Sequence, residues 1–333
     1  MIYVVNNSNN PYFNHAAEEY LLTTFQDEIF MLWINKPSIL IGRNQNTLSE
    51  INSDYITLNN IDVVRRLSGG GAVFNDLGNM NFTFITNRSN SNIPTKDGFE
   101  RFALPVINAL YSLNITAKFT GRNDITINGK KFSGNAQYFS KDKLLHHGTL
   151  LYNCDLGGLS KALKCKPLKF KDKGIKSISS RVTNISSHMN STMDLYEFKN
   201  YLMNFVMKCN NINTVYEFTD QDIIEIEKIM KSRFETWEWN YGKSPDYSYE
   251  HSSKYPCGSI EYHVNVNNGI ITNISLYGDF FGEKNINELE SKIIGINHNL
   301  TDLSEALKDV TMDQYVKGLS TFEFIDGLMN IDI

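Results

Sequence analysis

The chain is organised around Arg65-Arg66-Leu67-Ser68-Gly69-Gly70-Gly71-Ala72-Val73-Phe74, which has apolar or alternating stretches on either side at 61–64 and 81–86. These flanking stretches predict strands joined by a glycine turn. Glycine has no Cβ, so the backbone of such a turn can adopt positive φ and approach a ligand closely. The two arginines carry forked donors that suit phosphate or carboxylate. The residues that leave the turn can offer backbone groups and an apolar wall to a flat ring.

This glycine turn matches neither of the common phosphate-binding patterns. No glycine in it is followed at the required spacing by Gly-Lys-Ser/Thr, as a Walker loop needs. Gly69-x-Gly71 is followed three residues later by Phe74 instead of glycine, and a strand instead of a helix is predicted beyond it, which excludes the dinucleotide fingerprint. Taken alone, the stretch fits an ordinary turn with solvated arginines, so its interpretation depends on the rest of the chain.

Composition narrows the class of protein. The chain has 333 residues, enough for two domains, and 41% of them are hydrophobic. The net charge is −5 and no basic run reaches five residues, which argues against nucleic acid as a partner. No signal peptide is predicted, and no stretch approaches the ~20 apolar residues of a membrane span. The cysteines are widely spaced without a C-x-x-C pair, so we expect a cytoplasmic protein without zinc or disulfides.

Periodicity predicts the order of helices and strands. Asn14 is predicted to cap a helix that reaches about Gln26, with Glu18 and Glu19 in its first turn, where acidic residues are favoured. A helix is also predicted near 48–58. The polar, basic segment 164–193 lacks periodicity and is predicted to be a long mobile loop, of a length that is usually either functional or disordered.

A change of composition marks the end of the first domain. Residues 242–256 are rich in Gly, Ser, Pro and Tyr, and a β-hairpin is predicted beyond them at 260–280. We therefore predict a catalytic domain at 1–244 and a smaller domain at 250–333.

A second group of residues bears on chemistry. Lys131 stands close to Ser133 and Gly134, small residues that leave room for a ligand against the backbone. ATP-dependent activation of a carboxylic acid brings two anions together, and a mobile ammonium group reduces their repulsion. Asp124 could hold a magnesium ion or orient the lysine, and Asn123 could bind the ligand. On spacing alone, Lys131 fits a solvated turn lysine at least as well.

Two histidines and a cysteine follow. His146 and His147 are neighbours on a predicted strand, so they point to opposite faces and cannot easily share a metal. One of them could face a pocket, most simply as a structural hydrogen-bond partner. Cys154 could belong to a thiol site, although free cysteine is usually a small buried apolar residue.

Taken together, these stretches resemble lipoate-protein ligases over nearly the whole chain. The matching segments, in family order, are Asn14 to Glu19, Ile41 to Asn46, Arg65 to Asn79, Gly121 to Asp124, Lys131 to Ala136, His146 to Leu151 and Ser180 to Asn184. Trp237 to Asn240 and the tail from Ser259 to Gly282 resemble the accessory domain of such ligases. Leu67 departs from the family pattern, where a small or polar residue is common.

The resemblance implies an α+β fold of the biotin and lipoate ligase type. A catalytic domain with a mixed β-sheet flanked by helices would be joined to a small α+β C-terminal accessory domain. It implies that lipoate and MgATP give lipoyl-adenylate and pyrophosphate. A lysine of a lipoyl domain, on an E2 subunit of a 2-oxoacid dehydrogenase or on the glycine-cleavage H protein, would then take the lipoyl group. A monomer is expected.

The resemblance also implies site residues. Lys131 takes the place of the family's central lysine, with Asp124 beside it as a catalytic and metal-binding residue. The nucleotide contacts are expected at Arg66, Gly71, Ala72, Val73, Phe74, Asn123, Asp124, Lys131 and Arg181. Lipoate contacts are expected at Arg66, Ser68, Gly69, Gly70, Lys131, Gly134 and His147. The segment 164–193 would cover the adenylate.

Other functions remain open at this point. A lipoyl or octanoyl transferase of the same fold would move the acyl group without ATP, through a cysteine or lysine, and usually lacks the accessory domain. A biotin ligase would have a different glycine-arginine loop. A non-catalytic protein that binds lipoyl domains would not need Lys131, Asp124 and the glycine turn.

Overall fold

The computed structural model describes residues 1–87, 95–120, 123–163, 181–190, 192–243 and 246–329. The chain divides into two compact units. Unit 1 comprises Met1–Arg43 and Asp54–Thr236, and unit 2 comprises Asn44–Ser53 and Trp237–Ile333. Unit 1 contains a large mixed sheet flanked by helices and unit 2 contains a small antiparallel sheet with helices, so the predicted fold class is confirmed.

Most strands of unit 1 form one mixed sheet. The strands of this unit are β1 (Ile2–Val5), β2 (Ile29–Trp33), β3 (Ser38–Ile41), β4 (Asp62–Arg65), β5 (Val73–Asn75), β6 (Asn79–Asn87), β7 (Ala117–Thr120), β8 (Asp124–Ile127), β9 (Lys130–Ser140), β10 (Lys143–Leu151) and β11 (Val215–Glu217). Eight of them, within the described chain, pair in the order β11-β1-β2-β6-β10-β9-β8-β7. The pairs that β1 makes with β2 and β11 are parallel and the others are antiparallel. Strands β6 and β10, at the centre, are buried along most of their lengths.

The glycine turn belongs to a separate small sheet with the order β4-β3-β5. Strand β3 is parallel to β4 and antiparallel to β5, so residues 66–72 cross from one side of β3 to the other. The predicted strands at 61–64 and 81–86 are present as β4 and β6, but they lie in different sheets, and the turn leads first into β5. This crossing places the turn over the end of β3.

Helices cover the large sheet and complete its core. Within the described chain, the α-helices of unit 1 are α1 (Pro11–Thr24), α2 (Ser53–Leu58), α3 (Thr95–Ser112), α4 (Leu156–Ala162), α5 (Leu195–Cys209) and α6 (Asp220–Ile229). Along α5, Leu195, Phe198, Leu202 and Val206 are buried at three- and four-residue spacing, which is the apolar stripe of a helix packed on a core. In that core, the buried faces of α3 and α5 pack with the phenylalanines of β2 and β6.

Two local predictions in unit 1 are wrong. Helix α1 is capped by Asn10, whose side chain accepts hydrogen bonds from the N–H groups of Tyr12 and Phe13. Asn14, the predicted cap, is buried within the helix and donates to the carbonyls of Ser8 and Ile34 instead. The helix predicted near 48–58 is confined to α2, whose residues begin at Ser53.

Unit 2 is built on the predicted hairpin. Its strands are β12 (Tyr247–Tyr255), β13 (Gly258–Asn267) and β14 (Ile270–Gly278), and its helices are α7 (Ile286–Ile293), α8 (Leu300–Leu307) and α9 (Thr321–Met329). Asn268 and Gly269 make the turn with φ of 48° and 76°, as an Asn-Gly hairpin requires. Strand β12 was not predicted, because it lies in the stretch whose composition indicated a domain boundary. Within the described residues, no helix is both long and apolar enough to cross a membrane.

Candidate active site

Arg66 holds the glycine turn from inside. Its guanidinium donates to the carbonyls of Leu40, Gly69 and Gly71 at 2.9, 2.7 and 2.8 Å, and its Nε donates to Ser68 Oγ at 3.2 Å. Arginine has five N–H groups, so these four bonds leave one on Nη1 for a ligand. Burial lowers the pKa of Arg66 to about 10, which still leaves it charged at neutral pH. The turn is thus built around a buried cation.

The turn also depends on a glycine at position 70. Gly70 has φ of +98°, and a Cβ there would lie 2.9 Å from Nη2 of Arg66. Arg65, the other arginine at the entrance, is fully buried and donates to the carbonyls of Gly42 and Arg43. The expectation that both arginines present charge to a ligand is therefore wrong for Arg65, which holds the neighbouring loop.

A chain of hydrogen bonds runs from Arg66 into the protein. Ser68 Oγ lies 2.6 Å from Nε2 of His147, and Nδ1 of His147 lies 2.9 and 3.1 Å from the two carboxylate oxygens of Glu18. Because Ser68 accepts from Arg66, its own hydrogen is left to donate to His147, whose Nδ1–H then donates to Glu18. We call Arg66, Ser68, His147 and Glu18 the buried relay. Each of these residues is at most 6% exposed.

Glu18 is a carboxylate that is almost entirely shielded from water, at 2% exposure. It also accepts from Thr83 Oγ1 at 2.7 Å and from Nδ1 of His15 at 2.9 Å. Burial alone would raise the pKa of Glu18, but the imidazole of His147 and the hydrogen bonds from both histidines outweigh it and hold the pKa well below its ordinary value. Glu18 therefore stays ionised and fixes which nitrogen of each histidine carries a proton.

Strands β8 and β9 carry the opposite wall of the site. Nζ of Lys131 lies 2.8 Å from Oδ1 of Asp124, and the two side chains are 38% and 37% exposed. The register of β8 and β9 shifts between Ile125 and Thr126, as in a β-bulge. A bulge re-aims side chains, and here Nζ of Lys131 lies 2.8 Å from where a Cβ on Gly134 would be. Lys131 is thus a strand residue in an ion pair, and the alternative of a solvated turn lysine is wrong.

The described end of the predicted covering loop, residues 181–190, meets this wall. Val182 forms a parallel bridge with Lys131, and Thr183 N–H donates to the carbonyl of Lys131 at 2.9 Å. Most of the segment 164–193 lies outside the described residues. Arg181, which was predicted to contact the nucleotide, is exposed and does not line the cavity described next.

A cavity of about 250 Å³ lies between these walls. It is lined by His15, Trp33, Leu40, Arg66, Gly70, Gly71, Ala72, Val73, Asn81, Asn123, Lys131, Gly134, Asn135, Ala136, His147, Gly148 and Thr149. Lys131 is more than a third exposed, whereas His15 and Trp33 are each 1% exposed. The cavity is therefore open at Lys131 and closed at His15 and Trp33.

The cavity brings together most of the predicted residues. The predicted residues that line it are Arg66, Gly70, Gly71, Ala72, Val73, Asn123, Lys131, Gly134 and His147. Three other predicted residues do not line the cavity themselves but contact residues that do. Asp124 pairs with Lys131, Ser68 is hydrogen-bonded to His147, and the carbonyl of Gly69 accepts from Arg66. Phe74 is buried and does not line the cavity, so its predicted place beside a nucleotide is not supported by the geometry.

Several lining residues were not predicted, chief among them His15 and Trp33 at the closed end. Glu18 behind them was assigned to the first turn of a helix, where a carboxylate normally faces solvent. No periodicity in this part of the sequence distinguishes a buried glutamate from a surface one. The signal that existed was the motif from Asn14 to Glu19, which was used for the resemblance and not for the site.

A thiol mechanism has no support in this site. Cys154 is 6% exposed, and burial raises the pKa of its thiol, with nearby Asp76 adding to the rise. Cys154, Cys209 and Cys257 are free in the described chain, and none lines the cavity. Cys165 lies outside the described residues.

In the described part of the site, the carboxylate that a metal ion could reach is that of Asp124. Among the described residues there is no cluster of three or more His, Cys, Asp or Glu side chains that could hold a metal. Magnesium is usually bound through one or two carboxylates together with substrate phosphates. A lone Asp124 at the open end of the cavity therefore fits a magnesium ion that arrives with a phosphate-bearing substrate, and does not fit one held by protein alone.

Comparison with protein families identifies both units of the chain. Residues 10–206 match the lipoyl protein ligase A/B catalytic domain, and residues 244–328 match the bacterial lipoate protein ligase C-terminus. The chain is 40% identical to a lipoate-protein ligase of Bacillus subtilis, over 98% of this chain and 99% of that one. It is 39% identical to lipoate–protein ligase 1 of Staphylococcus aureus, over 96% and 97% of the two chains.

Solved structures show the same similarity. P. falciparum LipL1, determined in complex with lipoate, is 33% identical and matches with a TM-score of 0.61 over 98% of both chains. A bi-partite lipoate protein ligase from Thermoplasma acidophilum, studied with its E2 lipoyl domain, is 28% identical and matches with a TM-score of 0.65 over 73% of this chain and 96% of that one.

Proposed function

We propose that this chain, which belongs to the lipoate-protein ligase family, activates lipoate with ATP and transfers it to a lysine of a lipoyl domain. The observation that carries this proposal is the cavity, which is closed at His15 and Trp33 and has the Lys131–Asp124 pair at its open end. A fatty-acid-like substrate fits such a cavity with its chain inward and its carboxylate at the lysine.

The first step joins two anions. A carboxylate oxygen of lipoate forms a bond to the α-phosphorus of ATP, the bond from that phosphorus to the bridging oxygen breaks, and pyrophosphate leaves. Lys131 lowers the repulsion between the carboxylate and the phosphate and stabilises the charge that grows at phosphorus. No protein nucleophile takes part, so positioning supplies the remaining acceleration.

The glycine turn suits the nucleotide. Gly71 is exposed and Ala72 and Val73 are half-buried, so their backbone groups lie at the open side of the cavity. Gly71 and Gly70 carry no side chain that would keep a phosphate away. The one guanidinium N–H of Arg66 that the turn does not use would serve the same group.

Magnesium enters this proposal with ATP. Asp124 would provide one ligand and the ATP phosphates would provide others, in keeping with the one such carboxylate in the described part of the site. The ion supplies charge neutralisation on the phosphates when bound. Because Asp124 already pairs with Lys131, it would also keep the ammonium group in place between substrates.

The second step moves the acyl group. The amine of an acceptor lysine attacks the acyl carbon, the bond to the phosphate oxygen breaks, AMP leaves, and the amine loses a proton as the amide forms. A lipoyl domain of an E2 subunit or of the glycine-cleavage H protein would supply this lysine. The T. acidophilum ligase was studied with an E2 lipoyl domain, which supports the first of these acceptors.

The division of labour is also part of the proposal. Residues 1–244 would form the catalytic domain and 250–333 the accessory domain, and the segment 164–193 would cover the adenylate. A cytoplasmic location suits an enzyme that consumes ATP. The absence of a cavity-lining thiol in the described chain, together with the C-terminal domain, favours this function over an ATP-independent transferase.

The experiment that tests the proposal measures pyrophosphate release by the full chain with MgATP, with and without lipoate and before any acceptor is added. Lipoate-dependent release is expected, followed by incorporation of lipoate into an added E2 lipoyl domain. A folded protein that releases no pyrophosphate, yet moves a lipoyl group from a lipoylated donor protein, would overturn the proposal in favour of the transferase.

A further inference from the structure

His15 occupies the closed end of the cavity and leaves one nitrogen without a partner. Its side chain is 1% exposed and lines the cavity. Nδ1 is bonded to Glu18 at 2.9 Å, whereas the buried Nε2 has no hydrogen-bond partner among the described residues. A buried polar atom without a partner costs free energy, so an atom of a bound ligand is expected to meet it.

The structure determines that this nitrogen is an acceptor. Glu18 is ionised, so Nδ1 of His15 must carry the hydrogen in the bond between them. Burial lowers the pKa of His15, although the bond to Glu18 works in the opposite direction, so the ring is neutral. A neutral ring with its hydrogen on Nδ1 presents only a lone pair at Nε2.

The ring cannot easily turn to present a donor. His15 lies edge to face with Trp33, with centroids 5.3 Å apart, and stacks on Phe234 at 6.0 Å. Trp33 is itself held by a hydrogen bond from Nε1 to Thr83 Oγ1, which in turn donates to Glu18. Turning the ring over would break the bond from Nδ1 to a buried carboxylate, which is more costly than breaking a neutral hydrogen bond.

The next step rests on the proposed function. If the carboxylate of the substrate lies at Lys131, its far end extends toward His15 and Trp33. In lipoate that end carries two sulfur atoms. In the cyclic disulfide they have lone pairs and no hydrogen, whereas in the reduced dithiol each can donate an S–H hydrogen bond.

We infer that His15 makes the closed end of the cavity select the reduced, dithiol form of lipoate over the cyclic disulfide. The thiol S–H donates to Nε2, while a disulfide sulfur would place a lone pair against the nitrogen lone pair. The protein carries out no redox step in this scheme, because both forms are offered to it from outside. Octanoate, which has no donor at its far end, leaves Nε2 unpaired and ranks with the disulfide.

The test compares three acids in the pyrophosphate-release reaction with MgATP. Dihydrolipoate, lipoate and octanoate are each used with the wild-type chain under argon, with a non-thiol reductant present only for the dihydrolipoate. We expect kcat/KM for dihydrolipoate to exceed that for lipoate by about fivefold, in line with one weak hydrogen bond to a buried acceptor. Equal values for the two forms in the wild-type chain would overturn the inference.

Two variants assign the preference to His15. His15→Leu removes the acceptor, so the two forms of lipoate should be used equally and octanoate should improve. His15→Phe keeps a ring against Trp33 and Phe234 without an acceptor nitrogen, and serves if the leucine variant unfolds. A preference that survives in the folded variant would show that another group makes it.

A matched control uses a histidine far from this chemistry. His263 is on β13 of unit 2 and lies near Glu250 and Glu261 on the surface. His263→Leu should retain the wild-type ratio. Failure of the proposed function is a separate outcome, since it would appear as no release with any of the three acids.

Discussion

The buried relay and the β8–β9 hairpin line the same cavity, but they are held in opposite ways. In the relay, Glu18 and His147 are 129 residues apart, Ser68 and His147 are 79 apart, and all are nearly inaccessible to water. In the hairpin, Asp124 and Lys131 come from adjacent paired strands, and both are more than a third exposed. One wall is thus assembled by tertiary packing, and the other by a local turn of chain.

The difference teaches where rigidity and mobility reside in this site. A buried carboxylate is tolerable only when every charge and hydrogen bond around it is satisfied, so the relay has a single arrangement. A partly exposed ion pair contributes little to stability, and the lysine can leave it at small cost. The relay therefore sets the shape of the cavity, while Lys131 is able to follow a reacting phosphate.

Replacing Lys131 should have the largest effect and should separate the two walls. In Lys131→Ala the charge at the open end is lost, so adenylate formation should fall by about a thousandfold, while the relay and the fold persist. Pyrophosphate release and thermal unfolding measure the two quantities. Lys130→Ala, which changes an exposed neighbour on the same strand, should leave both unchanged. A normal adenylation rate in Lys131→Ala would remove the assigned role.

Glu18→Gln should lower the stability of the fold, which Lys131→Ala leaves intact. A carboxamide cannot accept from both histidines and Thr83 as a carboxylate does, so we expect a loss of about 3 kcal/mol in unfolding free energy. Urea unfolding measures it. Glu19→Gln is the control on the same helix, because Glu19 pairs with the partly exposed Arg233 and such pairs contribute under about 1 kcal/mol. Equal losses in the two variants would show that the relay is no more than an ordinary ion pair.

Two neighbouring glycines sharpen the comparison within the turn. Gly70→Ala combines a positive φ with a close approach to Arg66, so we expect it to destabilise the protein by about 2 kcal/mol and to weaken ATP binding. A Cβ added to Gly71 would meet no atom within 4 Å, so Gly71→Ala should leave stability unchanged. Unfolding midpoints and the KM for ATP test the pair. A similar stability in both variants would mean that the side chain of Arg66 moves away from the added Cβ at little cost.

Acid should lower the stability of the fold through its buried histidines. The pKa values of His15 and His146 are both lowered, with burial as the main cause, so both rings stay neutral when folded and take up protons on unfolding. The unfolded chain then binds more protons below about pH 6.5, and stability should fall by up to about 1.4 kcal/mol per pH unit for each histidine. Urea titrations at about pH 7.5 and about pH 5.5, on either side of that value, measure this slope. His146→Gln should reduce it, and an unchanged slope would show that His146 contributes nothing to it.

Asp124→Asn should have only a small effect on the fold. Its ion pair with Lys131 is partly exposed, so unfolding free energy should change by less than about 1 kcal/mol. Adenylation should fall by about tenfold, because the carboxylate no longer holds the ammonium group or a magnesium ligand position. The magnesium concentration for half-maximal rate should rise as well. If only the rate falls and the magnesium dependence stays the same, Asp124 acts on Lys131 alone.

Local patterns predicted the parts of this protein that are locally determined. The β13–β14 hairpin follows from an Asn-Gly turn between two alternating stretches. Lys131 could be singled out because a small glycine lies close to it in sequence. The motif order was enough to predict the fold class and the ligase family.

Predictions failed where burial decided the outcome. Asn10 and Asn14 are equally good caps by composition, and the choice between them depends on the carbonyls of Ser8 and Ile34 that meet Asn14. Strand β12 has the composition of a linker, yet pairing with β13 along its whole length makes it a strand. The bulge that turns Lys131 toward Gly134 has no signature in residue type.

By itself, the sequence determined the two-unit α+β organisation, the glycine turn and the lysine opposite it, because turn chemistry and short-range spacing specify those features. Only the tertiary structure decided that Glu18 is a buried anion, that His147 joins it to Arg66, and that His15 closes the cavity with an acceptor nitrogen. A glutamate or histidine in a helix has the same local sequence pattern whether it faces water or the core. Its chemistry is set by partners that lie far away along the chain and come together only when the sheet and α1 pack.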